Sequence, residues 1–216
     1  MRLAELSTRS GVSTTTIKFY LREGLLPPGR RVTATQSDYD EGHLRRLRLV
    51  RALIQVGRIP VASARDVLAA LADDRLSPNE RLGTATWALP HGPAPDETDP
   101  AVEAARHTAD ELMDRLGWGR GSTADPLPTA PARGTLVTAI AALSRLGYPC
   151  SAEDLEPYGR AAERIAATDL DMVERYGTPD EQVEAAVALT VLYEPVVLSL
   201  RRLAEVEESH RRFVEE

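Results

Sequence analysis

The stretch Ser10–Arg31, SGVSTTTIKFYLREGLLPPGRR, decides how this chain is read. Gly11 can supply a left-handed turn, and Ser13 stands as N-cap of a helix over about 14–23 that Gly24 closes. Within that helix Ile17, Tyr20 and Leu21 recur at i, i+3 and i+4, so one face is spaced for burial. The opposite stripe, Thr15, Lys18, Phe19 and Arg22, offers a hydroxyl, an ammonium, an aromatic ring and a guanidinium. Those groups suit phosphates and base edges in a major groove, although a solvated amphipathic helix has similar polarity. Upstream, Leu3, Leu6 and Val12 bracket a shorter helix over 3–10. Two helices joined by a short turn containing glycine form the helix-turn-helix pattern. Downstream, the prolines and β-branched residues of LLPPGRRVTATQSDY, residues 25–39, predict a turn and then a short β-hairpin, or wing.

Asp40 caps a third helix, about 41–56, with Leu44, Leu47 and Val50 inward and Arg45, Arg46, Arg48 and Arg51 on its other face. Pro60-Val61 opens a fourth, to about 72, with Ala64, Val67, Leu68 and Leu71 spaced for burial. The remainder reads as helical. Ser77-Pro78-Asn79-Glu80 is a capping box starting a helix of about 78–89, and further helices are expected over about 100–116, 135–147 and 152–176. Pro157 is a bend point in the last of these. Thr178-Pro179-Asp180-Glu181 begins a long final helix, with an interruption expected at Pro195. The Gly/Pro-rich segment 117–134 reads as a loop. The fold class is therefore mainly α: a winged helix-turn-helix with a short β wing in 1–75, then an all-helical domain in 76–216.

The formal net charge of −7 is unevenly divided. Residues 1–71 hold 12 basic and 6 acidic side chains, while residues 72–216 hold 14 and 27. A basic head on an acidic body is the footprint of a chain that meets phosphates at one end. No run approaches bilayer-spanning length, and MRLAELSTRS lacks the apolar stretch of a signal peptide, so a cytoplasmic, nucleoid-associated protein without membrane contact is expected. Cys150 is the sole cysteine, and His43, His91, His107 and His210 share no ligand-like spacing, so no metal and no cofactor are expected. No nucleophile elbow, phosphate loop or carboxylate pair points to an enzyme.

The segment Leu3–Leu71 resembles the N-terminal domain of MerR-family transcription regulators. The matching residues are Leu3-Ala4-Glu5-Leu6, Gly11-Val12-Ser13, Thr16-Ile17-Lys18-Phe19-Tyr20, Glu23-Gly24-Leu25-Leu26-Pro27-Pro28, Tyr39-Asp40, Leu44-Arg45-Arg46-Leu47 and Gly57. The resemblance implies that the second helix enters the major groove and that the wing grips the flanking backbone. The DNA-binding set expected is Ser13, Thr15, Thr16, Lys18, Phe19, Tyr20, Arg22, Arg30, Arg31 and Tyr39. Two departures stand out. The family usually has adjacent tyrosines where this chain has Phe19-Tyr20, and a wing arginine where it has Ser37, so Arg30 and Arg31 are the candidates to substitute.

The resemblance further implies a homodimer on paired half-sites, acting on promoter DNA with RNA polymerase by twisting the DNA so that its two promoter elements come into register. The usual dimer device, a long helix directly after the head, is cut short here by Ser77-Pro78 and the break at Pro90. The final helix, with Val196, Leu200, Leu203 and Val206, is the other candidate interface, and core packing explains the same stripe. The helical body is larger than a dimer linker requires, which points to a small organic effector. Trp87, Trp118, Tyr148, Tyr158, Tyr176 and Tyr193 are the aromatic candidates to line its site, although aromatics in a helical body are ordinarily core. A protein-interaction body without an effector is the alternative.

Overall fold

Helices, caps and one small hairpin make up the computed structural model, which describes residues 1–33, 36–118 and 130–213. In chain order these are α1 (Leu3–Ser10), α2 (Thr14–Arg22), β1 (Arg30–Arg31), β2 (Ser37–Asp38), α3 (Glu41–Arg51), α4 (Val61–Leu71), α5 (Pro78–Trp87), α6 (Pro100–Leu116), α7 (Ala130–Arg145), α8 (Ala152–Val173) and α9 (Pro179–Phe213). The architecture is the expected one, a winged helix-turn-helix followed by helices.

The punctuation read from the sequence is visible in the backbone. Gly11 ends α1 at φ 66°, donating its N–H to the Ser7 carbonyl. Ser13, Asp40, Ser77 and Ser151 each accept a backbone N–H at the start of a helix, and the last three form reciprocal capping boxes. In the Asp40 box, His43 supplies the returning side chain. Hydrogen bonds from His43 hold the Asp40 carboxyl below its ordinary range.

Four expectations need correction. The third helix does not continue as an α-helix to residue 56: Ala52–Val56 widen into a π-helical turn, closed by the Gly57 N–H on the Ala52 carbonyl. Residues 130–134 are helical rather than loop, and the rest of the loop candidate, 119–129, lies outside the described residues. Pro195 does not interrupt the last helix, which runs unbroken from Pro179 to Phe213 with the proline on an exposed position. Finally, an 18-residue window of α9 has mean hydropathy 1.7, long and apolar enough to cross a membrane by composition, although no such run was expected. Only 28% of that window is buried.

The burial that matters most crosses the chain. Leu6, Ile17, Leu25, Leu26, Leu47 and Leu53 form the centre of the head, and Ala85 of α5 with Val183, Val187 and Val191 of α9 complete the same core. Gly57 makes this possible: a Cβ there would lie 2.1 Å from Val191 Cγ1 and 2.9 Å from the Leu53 carbonyl oxygen. Arg46 donates to the Leu25 and Leu68 carbonyls, tying the end of α2 to α4 from within α3. Burial pushes its guanidinium down from the usual arginine value, and pushes the facing Glu184 carboxyl of α9 up. Arg81 of α5 is buried and pairs with Asp180 at 2.8 Å. A second, smaller cluster joins α6 and α7 through Val102, Ala105, Ala109, Val137 and Ile140. Gly159 of α8 admits Leu116 beside it, since a Cβ there would lie 2.4 Å from Leu116 Cδ1.

Two outcomes follow from this seam. Gly57→Ala must displace either α9 or a backbone carbonyl, so it should cost about 1–3 kcal/mol, the range for overpacking. That is roughly 2–10 °C in Tm for a chain of this size, read by thermal denaturation. Glu184 is raised above its unfolded pKa, so its ionisation disfavours the fold above that range and has no effect when the group is neutral in both states. Glu184→Gln should therefore raise Tm at pH 7, and the difference should vanish as pH falls below about 4.5.

Candidate nucleic-acid interface

The recognition helix is built from its buried side outward. Ile17 and Tyr20 lock α2 into the core, at 0% and 4% exposure. Leu25 and Leu26, which follow the left-handed Gly24, both bond back to the Tyr20 carbonyl. With that face fixed, Thr15, Lys18 and Arg22 are exposed on the other, and Thr16 and Phe19 are half-buried between the faces. Ser13 Oγ accepts the Thr16 N–H at 3.1 Å and shares a hydrogen with Thr16 Oγ1 at 2.8 Å. These two residues thus organise the helix start, while Thr15 and Lys18 stand free at its surface. Arg22 lies over the Phe19 ring at 5.3 Å and 3.3 Å from the Glu23 carboxylate. That contact holds the guanidinium along the helix end, with the ring beneath it.

Tyr20 and Tyr39 do not present whole side chains outward. Tyr39 is 8% exposed, and its ring meets His43 edge-on at 5.2 Å. Its role is to seat the wing. A Cβ on Gly29 would lie 2.7 Å from the Asp38 carbonyl oxygen and 2.9 Å from Tyr39 Cε1, so glycine is required where β1 begins.

The register of the wing answers the question raised by Ser37. The antiparallel strands pair Arg30 with Asp38 and Arg31 with Ser37. Arg30 is drawn to its neighbour, 3.5 Å from the Asp38 carboxylate. Arg31 is exposed beside the position where the arginine of the resemblance is missing. Directly paired residues have Cβ atoms about 5 Å apart, so Arg31 can deliver a guanidinium to nearly the same place from the other strand. Arg2, not singled out by the sequence, lines a polar crevice of about 370 Å³ with Gln36, Ser37 and Tyr39. No periodicity marks it, because it precedes the first helix and meets the wing only in the folded chain.

The remaining arginines of α3 are not one basic face. Arg46 and Arg51 are spent on backbone carbonyls, the latter on Ser10 at 2.9 Å, whereas Arg45 and Arg48 line a groove against α9. The six aromatic candidates of the body are not brought together. Tyr176 lines that α3–α9 groove, of about 420 Å³, and Tyr193 lines another of about 390 Å³ between α8 and α9. Trp87, Trp118, Tyr148 and Tyr158 are exposed; Trp118 donates to Glu163, and Tyr158 lies under Arg201. Cys150 is half-buried beside the α6–α7 cluster, and no group of three potential metal ligands occurs among the described residues.

Comparison with known proteins agrees with this geometry. Residues 1–71 match the profile described as MerR HTH family regulatory protein. Across its full length the chain is 55% identical to a candidate transcriptional regulator from Streptomyces coelicolor A3(2), known from a crystal structure. The match covers 100% of this chain and 99% of that one, with a TM-score of 0.83. No curated protein matches.

The register yields a graded expectation. Arg31→Ala should weaken DNA binding more than Arg30→Ala, because only Arg31 is free of a carboxylate on its own hairpin. Anisotropy titrations of both variants on one labelled duplex read the order, and equal losses would remove the cross-strand argument.

Proposed function

The chain belongs to the MerR HTH family of regulatory proteins, and from that premise we propose that it is a sequence-specific regulator that binds promoter DNA as a homodimer. DNA binding and transcription regulation come with the family. The finer reading rests on one observation: α2 has its core face locked by Ile17 and Tyr20 while Thr15 and Lys18 stand uncommitted on the outer face. Thr15 and Lys18 read base edges or phosphates in the groove, with Phe19 and Arg22 beside them. Arg31, Arg2 and Ser37 hold the flanking backbone, where contacts position rather than specify. One such head covers few base pairs, which is why two are needed for a specific site.

Control by a small organic ligand is part of the proposal. The α3–α9 groove, lined by Leu49, Tyr176, Ala188 and Leu192 among others, is the place where a bound molecule would touch the head and the last helix at once. The ligand would act by favouring one setting of that seam, with RNA polymerase meeting the DNA so presented. The regulator would thus work in the cytoplasm, on the nucleoid.

Lys18 is the only lysine in the chain, so its chemistry can be followed alone. In a mobility-shift titration on DNA upstream of its own gene, Lys18→Ala should weaken binding and reduce the slope of log K against log salt by about 1. In the unmodified protein, specific DNA should protect Lys18 from reductive methylation, read by mass spectrometry, while unrelated DNA at the same salt should not. Binding indifferent to Lys18, with the lysine equally reactive in both complexes, would overturn the groove assignment.

A further inference from the structure

The second half of α9 carries an apolar stripe that stays largely exposed among the described residues. Val183, Val187 and Val191 face the head, one helical turn apart. Val196 comes nine residues after Val187, so at 100° per residue it lies on the opposite side of the helix. From there Val196, Leu200, Leu203, Val206 and Phe213 follow at helical spacing. Leu200, Leu203, Val206 and Phe213 are 60%, 63%, 66% and 79% exposed. Apolar side chains gathered in this way on a soluble helix mark an interface.

The stripe is self-complementary when laid antiparallel on itself. With the centre between Ala204 and Glu205, Leu203 meets Val206, Val196 meets Phe213 and Arg202 meets Glu207 of the other copy. The charges support this register. Arg201 pairs with Glu205, and Arg211 and Arg212 pair with Glu208, all within α9. Arg202 and Glu207, the two that meet across the centre, form no ion pair among the described residues. The ends also match. Val196 lies in the α8–α9 groove with Ile165, Met172 and Leu200, an apolar slot of about 390 Å³ that can receive a phenylalanine ring.

We propose that the dimer forms through α9, two copies crossing antiparallel near residue 204 with Phe213 of each seated in the α8–α9 groove of the other. This rests on the dimer reading above and assigns its surface. The usual position of a dimer helix is taken by α5, which is 10 residues long and contributes Ala85 to the head core. The arrangement is isologous, so it closes as a dimer rather than extending into a fibre. It also sets the heads: α9 runs from the head core to the crossing without a break, and the crossing therefore fixes how far apart the two recognition helices stand.

The test uses full-length chain in a Cys150→Ser background and a short bismaleimide. Val196→Cys and Phe213→Cys chains should crosslink when mixed. Neither should crosslink alone, because its own two copies lie 17 residues apart along the seam, about 25 Å. Separately, Leu203→Glu with Val206→Glu should weaken dimerisation by roughly 100-fold in sedimentation equilibrium, with helix content and cooperative unfolding retained, since neither residue reaches the core. Crosslinking of each cysteine chain with itself would show a parallel pairing and overturn the proposal. A Leu203→Glu/Val206→Glu variant that stays dimeric would place the interface elsewhere and leave the dimer reading standing. A wild-type chain that is monomeric in solution and binds specific DNA as a monomer would overturn both. Flotation of monomeric protein with phosphatidylglycerol vesicles would assign the stripe to a lipid surface instead.

Discussion

Val191 sits against Gly57, in space that any Cβ at that position would occupy. The contact joins the last helix of the chain to the corner at which α3 widens, turns and gives way to α4. Around it, Ala85 fills the head core from one side and Val183 and Val187 from another, so the head is finished in part by α9 residues more than a hundred positions downstream. Side-chain packing at this density is stiff, and a shift of α9 cannot be absorbed locally. The helix that reaches the candidate dimer seam is thus part of the wall on which the recognition helix is mounted.

That wall is also where charge is held under burial. Arg46 spends its guanidinium on the Leu25 and Leu68 carbonyls, and Glu184 faces it with a carboxyl pushed toward neutrality. A desolvated acid beside a committed arginine is sensitive to small changes in separation. The adjoining groove, with Arg45 and Arg48 on one wall and Tyr176, Ala188 and Leu192 on the other, is open to solvent along the same seam. Position, burial and charge therefore meet where the head joins α9.

The wing shows how a side chain can be supplied by a neighbour. Ser37 lacks the group that its place in the pattern leads one to expect, but pairing brings Arg31 alongside it. Arg30, one residue earlier, is turned to Asp38 instead. Strand alternation separates two adjacent arginines into different surroundings, one beside a carboxylate and one free.

The local features were legible in the sequence because local rules determine them. Gly11 and Gly24 need left-handed backbone, Ser13 and Asp40 need a following N–H, and the Ile17–Tyr20–Leu21 spacing leaves Thr15 and Lys18 outside. From these came the helix-turn-helix and the wing. What the sequence could not decide was which apolar stripe meets which. Val183, Val187 and Val191 recur at helical spacing just as the stripe beginning at Val196 does, yet the first lies in the head core and the second is exposed. Periodicity gives a face but no partner for it. Likewise Gly57 reads as a helix end, and only the folded chain shows Val191 beside it. The aromatic residues of the body, grouped by type in the sequence, are dispersed by the packing of their helices. Contacts between residues far apart in the chain depend on shape and volume, and those are properties of the tertiary structure alone.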